Sequence, residues 1–128
     1  MSDSILNDVK KFIGFDEEYK VFDPDIMLQI NSLIATLSQV GLTLTENFSV
    51  KTGAETWDDY FSKIARAEDS SDSITKTAFE MAKNYIYINT KIVFDPPSSS
   101  FVLDALKSKA SELEWRLSIL PTTRIHDV

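Results

Sequence analysis

Cysteine is absent from this 128-residue chain, which removes both disulfide staples and thiolate metal sites, so the fold must rest on its packed core alone. Histidine occurs once, His126, in a polar C-terminal stretch, and an imidazole metal site or a triad would need a partner the chain does not supply. With three glycines the chain has little material for a phosphate-cradling loop, and no dinucleotide, Walker, nucleophile-elbow or calcium-loop signature is present. Basic residues are outnumbered, 13 Lys and Arg against 20 Asp and Glu, for a formal charge of −7. The cations are scattered among acids, which argues against a surface that wraps nucleic acid. No run reaches the ~18 apolar residues of a membrane span. The opening MSDSILNDVKKFIGF lacks a basic segment followed by an apolar one, and the chain reads as a soluble intracellular product without membrane contact. Carboxylates cluster at Asp16-Glu17-Glu18, Asp58-Asp59 and Glu112-Leu113-Glu114. Helical neighbours diverge by about 100°, so Asp58 and Asp59 suit a helix N-terminus better than a hydrolase pair. No catalytic residue, metal ligand or cofactor site is assigned, and the chain is read as a non-enzyme.

What the chain has is helical periodicity. Ile5, Leu6, Val9, Phe12 and Ile13 fall on one side of a short helix that Gly14 can end in the left-handed conformation. Asp23 and Pro24 offer an N-cap and a first helical residue, with Phe22 and Met27 as a staple. Ile26, Ile30, Leu33, Ile34 and Leu37 then repeat at three- and four-residue steps up to Gly41. Thr56 begins a capping-box-like TWDD, whose buried stripe is Trp57, Tyr60, Phe61 and Ile64. One of Ser71, Asp72 or Ser73 caps a long helix over 73–94. Two apolar rows run along it, one from Ile74 through Ala78, Met81, Tyr85 and Ile88 to Ile92, the other through Phe79, Ala82, Ile86 and Val93. The expected fold is all-α: a small bundle of about five helices, with residues 1–120 as one domain and 121–128 as an extended tail.

Three features point outward. Asp95, Pro96 and Pro97 form a stiff elbow, since proline cannot continue a helix and pushes the residue before it out of helical space. A serine from 98 to 100 caps the next helix, and the segment becomes an αα-hairpin. On that last helix Leu103, Leu106, Ala110, Leu113 and Leu117 make a core seam, while Phe101, Trp115 and Ile119 lie on the opposite side. Small domains rarely cover both sides of a peripheral helix, so this second row, near Asp104, Ser108 and Glu112, points either to a central position or to a surface covered by another subunit, the reading favoured here. The stretch 42–56 alternates Leu and Thr like a loop or small hairpin, and its Phe48 and Val50 are candidate interface residues that a neighbour would order. The tail, with Arg124 and Ile125, is a candidate docking arm.

The order and spacing of ILNDVKKFIGF, FDPDIMLQINSLIATLSQVG, FSV before TWDDY, NYIYINTKIVFDPPSSSFVLDALK and ELEWRLS resemble the head-tail connector proteins of tailed bacteriophages, also called adaptor or head-completion proteins. The resemblance covers about 110 residues and is loose over SKIARAEDSSDSITKTAFEMA. It implies a helical structural subunit of the virion, assembled in the host cytoplasm as a ring, dodecameric in the virion, below the portal protein. Such a ring extends the DNA channel, with DNA only as cargo, and offers a docking surface to a tail or stopper protein. An acidic subunit suits a conduit through which DNA slides. The alternative from residues alone is a helical regulatory or immunity-type module that binds one partner and forms no ring.

Overall fold

The computed structural model describes residues 4–64 and 73–119. Five helices follow one another: α1 (Ile5–Phe12), α2 (Asp23–Val40), α3 (Trp57–Phe61), α4 (Ser73–Phe94) and α5 (Ser100–Ile119). Among the described residues the only strand-like pairings are two isolated antiparallel bridges, Ser4 with Thr56 and Leu44 with Ile64. The fold is an all-α bundle.

Each helix starts and stops for a local chemical reason. Ser4 caps α1, its hydroxyl accepting from Asn7 N–H at 3.0 Å, and Gly14 follows the helix at φ +88°. Thr56 and Asp59 form the expected capping box on α3. Ser99 supplies the hydroxyl before α5, accepting from Val102 N–H at 3.4 Å. The start of α2 differs from expectation. Phe22 occupies the cap position without a side-chain hydrogen bond, and Asp23 is drawn instead to the buried ammonium of Lys10, 2.8 Å away. Phe22 has Phe15 and Tyr19 as ring neighbours, at 6.1 and 6.0 Å. The proposed cap of α4 at Ser71 or Asp72 and the side chain of Ile74 lie outside the described residues.

One apolar cluster draws on all five helices, from Ile5 and Val9 through Ile30, Leu37, Tyr60 and Ile86 to Leu113 and Leu117. Burying an Ile or Leu of this kind contributes about 1.5–3 kcal/mol. Both α1 and α5 pack on α2 and α4, with at most marginal contact between themselves. Gly41, at φ +149°, lets the end of α2 press against the last turns of α5. A Cβ there would stand 2.8 Å from the carbonyl oxygen of Leu117.

Burial along the hairpin is uneven, which corrects the sequence reading. Ala78, Met81, Ala82, Tyr85 and Ile86 of α4 are buried, but Ile88 and Ile92 are half-buried and Val93 is exposed. In α5 burial begins at Ala110, and Leu103 and Leu106 are half-covered. Periodicity assigns a face to a residue but not the extent of the cover over that face, and here the cover thins toward the elbow.

Candidate functional site

The side of α5 turned away from its seam carries Phe101, Trp115 and Ile119 at 82%, 61% and 57% exposure. Trp115 sits between polar neighbours. Glu112 receives Arg116 Nε at 2.9 Å and Lys109 Nζ at 3.5 Å, so the apolar row is edged by a small charge network. On the inner side Tyr85 donates its hydroxyl to Glu114 Oε1 at 3.0 Å. Burial, reinforced by that hydrogen bond and the carboxylate charge, pushes the Tyr85 phenol up to about 12.

The elbow is tied as well as bent. Asp95 N–H donates to Lys91 O at 2.8 Å, and Lys91 Nζ meets Asp95 Oδ2 at 2.9 Å, closing the last turn of α4 just before Pro96 and Pro97. Val93, Phe101 and Val102 are exposed around it.

Phe48 and Val50 behave differently from each other and from the sequence reading. Val50 is buried at 2% exposure. Its N–H donates to Asn31 Oδ1 at 2.7 Å and its carbonyl accepts from Asn31 Nδ2 at 2.9 Å. The asparagine amide thus mimics a peptide partner and holds the loop against α2. Phe48 is half-buried and stacks on Tyr60 at 5.4 Å. Val50 is therefore a core residue of its own subunit, fastened to α2 through Asn31. Beyond it, Glu55 Oε1 and Oε2 accept N–H groups of Lys51, Thr52 and Gly53 at 3.0–3.3 Å. Burial raises the Glu55 carboxyl, but backbone N–H groups of Lys51, Glu55, Thr52 and Gly53 outweigh it and hold the group below its ordinary value. Arg124 and Ile125 lie outside the described residues.

An open groove of about 370 Å³ between this loop and α3 is lined by Phe48, Lys51, Glu55, Asp59 and Lys63 among others. Its two carboxylates and one of its lysines are already engaged: Glu55 in the turn, Asp59 in the capping box, and Lys63 with Glu46 at 3.1 Å. No acid–base pair converges there. No cluster of metal-ligating side chains occurs among the described residues, and none of their helices is long and apolar enough to cross a membrane.

Three polar anchors went unseen in the sequence. Besides Asn31, Lys10 is fully buried and donates to the carbonyls of Glu17 and Tyr19 at 2.9 and 2.8 Å. Asp8 accepts Trp57 Nε1 at 2.9 Å and the hydroxyl of Tyr87. Lys10 stands beside Lys11 in α1, and the sequence gives no sign of which lysine is buried.

The bundle thus turns polar anchors inward and an apolar row, Phe101, Trp115 and Ile119, outward. The chain belongs to the phage connector proteins, whose family model matches residues 5–122. Neither the curated proteins nor the solved structures give a match. Family membership makes the chain a structural component of the virion.

Proposed function

We propose that the chain is a head-tail connector subunit that assembles as a ring below the portal, extends the DNA channel, and presents a docking surface to a tail or stopper protein. The observation that carries this reading is the exposed row Phe101, Trp115 and Ile119 on the helix that closes the bundle. A tryptophan more than half exposed beside an arginine is the kind of anchor on which interfaces concentrate their energy. The elbow Asp95-Pro96-Pro97 supports the same reading. A ring closes only if every subunit repeats one angle, and two prolines fix the direction of α5 relative to α4. The formal charge of −7 suits a lumen through which DNA passes as cargo. Twelve copies is the number the resemblance implies. Residues 1–120 act as one domain in this proposal, and the segment with Arg124 and Ile125 is an arm that grips the portal.

Trp115→Ala is the test. With the row as an interface, a denaturant melt of the isolated subunit changes little while assembly on the purified portal weakens by about 2 kcal/mol or more. A loss of about 3–5 kcal/mol in the melt would instead make Trp115 part of a two-sided core. Unchanged assembly would remove the row from the interface.

A further inference from the structure

A row on α5 can join copies in two ways. If it meets the same row on a second copy, the contact is two-fold and closes at two subunits. A larger ring requires a different surface to receive it. The distribution of exposed apolar side chains supplies such a surface. Among the described residues ten large hydrophobic side chains are exposed, and they fall into two groups of five. Val93, Phe101, Val102, Trp115 and Ile119 belong to the hairpin, whereas Phe12, Tyr19, Val21, Phe22 and Leu28 belong to the corner where α1 turns into α2.

We infer that this α1–α2 corner, centred on Tyr19, Val21, Phe22 and Leu28, is the surface on a neighbouring copy that receives the α5 row. The inference rests on the ring reading above and specifies its contact. The corner has a firm base: Phe15, Tyr19 and Phe22 form a ring triangle at 6.0–6.1 Å, and the connector backbone is fastened through Lys10 to the carbonyls of Glu17 and Tyr19. Val21 and Leu28 stand out from it at 67% and 71% exposure. The two groups lie on different elements, so one stays free when the other is engaged, as a head-to-tail contact requires. Charge fits as well. From Asp16 to Asp25 the corner holds five carboxylates and one lysine, of which only Asp23 is in an ion pair with a described residue. The Trp115 end of the α5 row is edged by Lys109 and Arg116, both about half exposed and both paired with Glu112, which leaves that edge with one net positive charge. In a chain of net charge −7, copies repel at long range, so a contact needs local opposite charge to set its register.

The test uses two double variants on exposed sites, Val21→Ser with Leu28→Ser for the corner and Trp115→Ser with Ile119→Ser for the row, so that the altered faces carry no charge that could pair them. Each is first matched to wild type by far-ultraviolet circular dichroism. Sedimentation, alone and with purified portal, then reads assembly. Each variant alone should lose at least about tenfold in association. Mixed together they should form a one-to-one pair and nothing larger, because each retains the face the other lacks. The corner is ruled out if its variant assembles like wild type, or if the mixture yields no pair; both outcomes leave the ring itself standing. Wild type that keeps the mass of one chain with and without portal would overturn the ring reading and this contact with it.

Discussion

Lys10 is fully buried between Asp23 at 2.8 Å and the carbonyls of Glu17 and Tyr19, so Lys10→Met leaves a carboxylate and two carbonyls without their cation. Breaking one side of a buried pair costs about 3–5 kcal/mol, and a urea melt should show that loss. Glu55 offers a pH test. Its folded value lies below its ordinary one, so the stability it contributes is complete above its unfolded value of about 4.3. That contribution is lost as pH falls through the lower folded value. Acid titration of the melting temperature should therefore show a component missing in Glu55→Gln. These residues also mark what the sequence conceals. Asn31 and Val50 are 19 positions apart and Asp8 and Trp57 are 49 apart, and no local pattern announces such pairings. The apolar stripes of α1 and α2 are legible because a period of 3.6 is a local property of the chain.

At the scale of elements, the cover over each helix decides what a truncation costs. Ile86 of α4 is fully buried, so Ile86→Ala should cost about 2–5 kcal/mol by leaving a cavity. Leu106, half-covered in the elbow half of α5, should cost clearly less. Equal losses in parallel denaturant melts would mean that the hairpin is packed evenly along its length. The sequence gives Leu106 and Leu113 the same seam, yet only Leu113 is buried. That difference depends on which turns of α5 the neighbouring helices cover, which no helical wheel records. Caps were more readable. Thr56 and Asp59 act as their spacing requires, whereas Asp23 surrenders its cap role because a buried ammonium is a stronger partner than a backbone N–H.

For the whole molecule, the shared cluster from Ile5 to Leu117 predicts that the bundle melts as one unit. The two tryptophans make this measurable, since Trp57 is buried at 5% exposure and Trp115 is exposed at 61%. In a Trp115→Phe background, Trp57 fluorescence and far-ultraviolet circular dichroism should trace one coincident denaturant transition. A separate, earlier loss of ellipticity would show that the hairpin unfolds on its own. The all-α class and the outward row were legible because both follow from periodicity. The corner at Tyr19 to Leu28 was not, since a connector without a repeat gives no sign of which side chains the helices will leave uncovered.

The contact of Gly41 with Leu117 has a mechanical consequence. It pins α5 at its C-terminal end, while the first ten residues of that helix contain no buried side chain. At 1.5 Å per residue the lightly covered arm is about 15 Å long, so α5 is a lever with its fulcrum at Ala110 to Leu117. A tilt of roughly 4° set at that fulcrum would carry Phe101 about 1 Å, and because the prolines hold α5 to α4 the elbow end of α4 would move with it. A small change of fit at the fulcrum is thereby magnified at the elbow, and a side chain in place of the hydrogen at Gly41 would reset the aim of the whole arm.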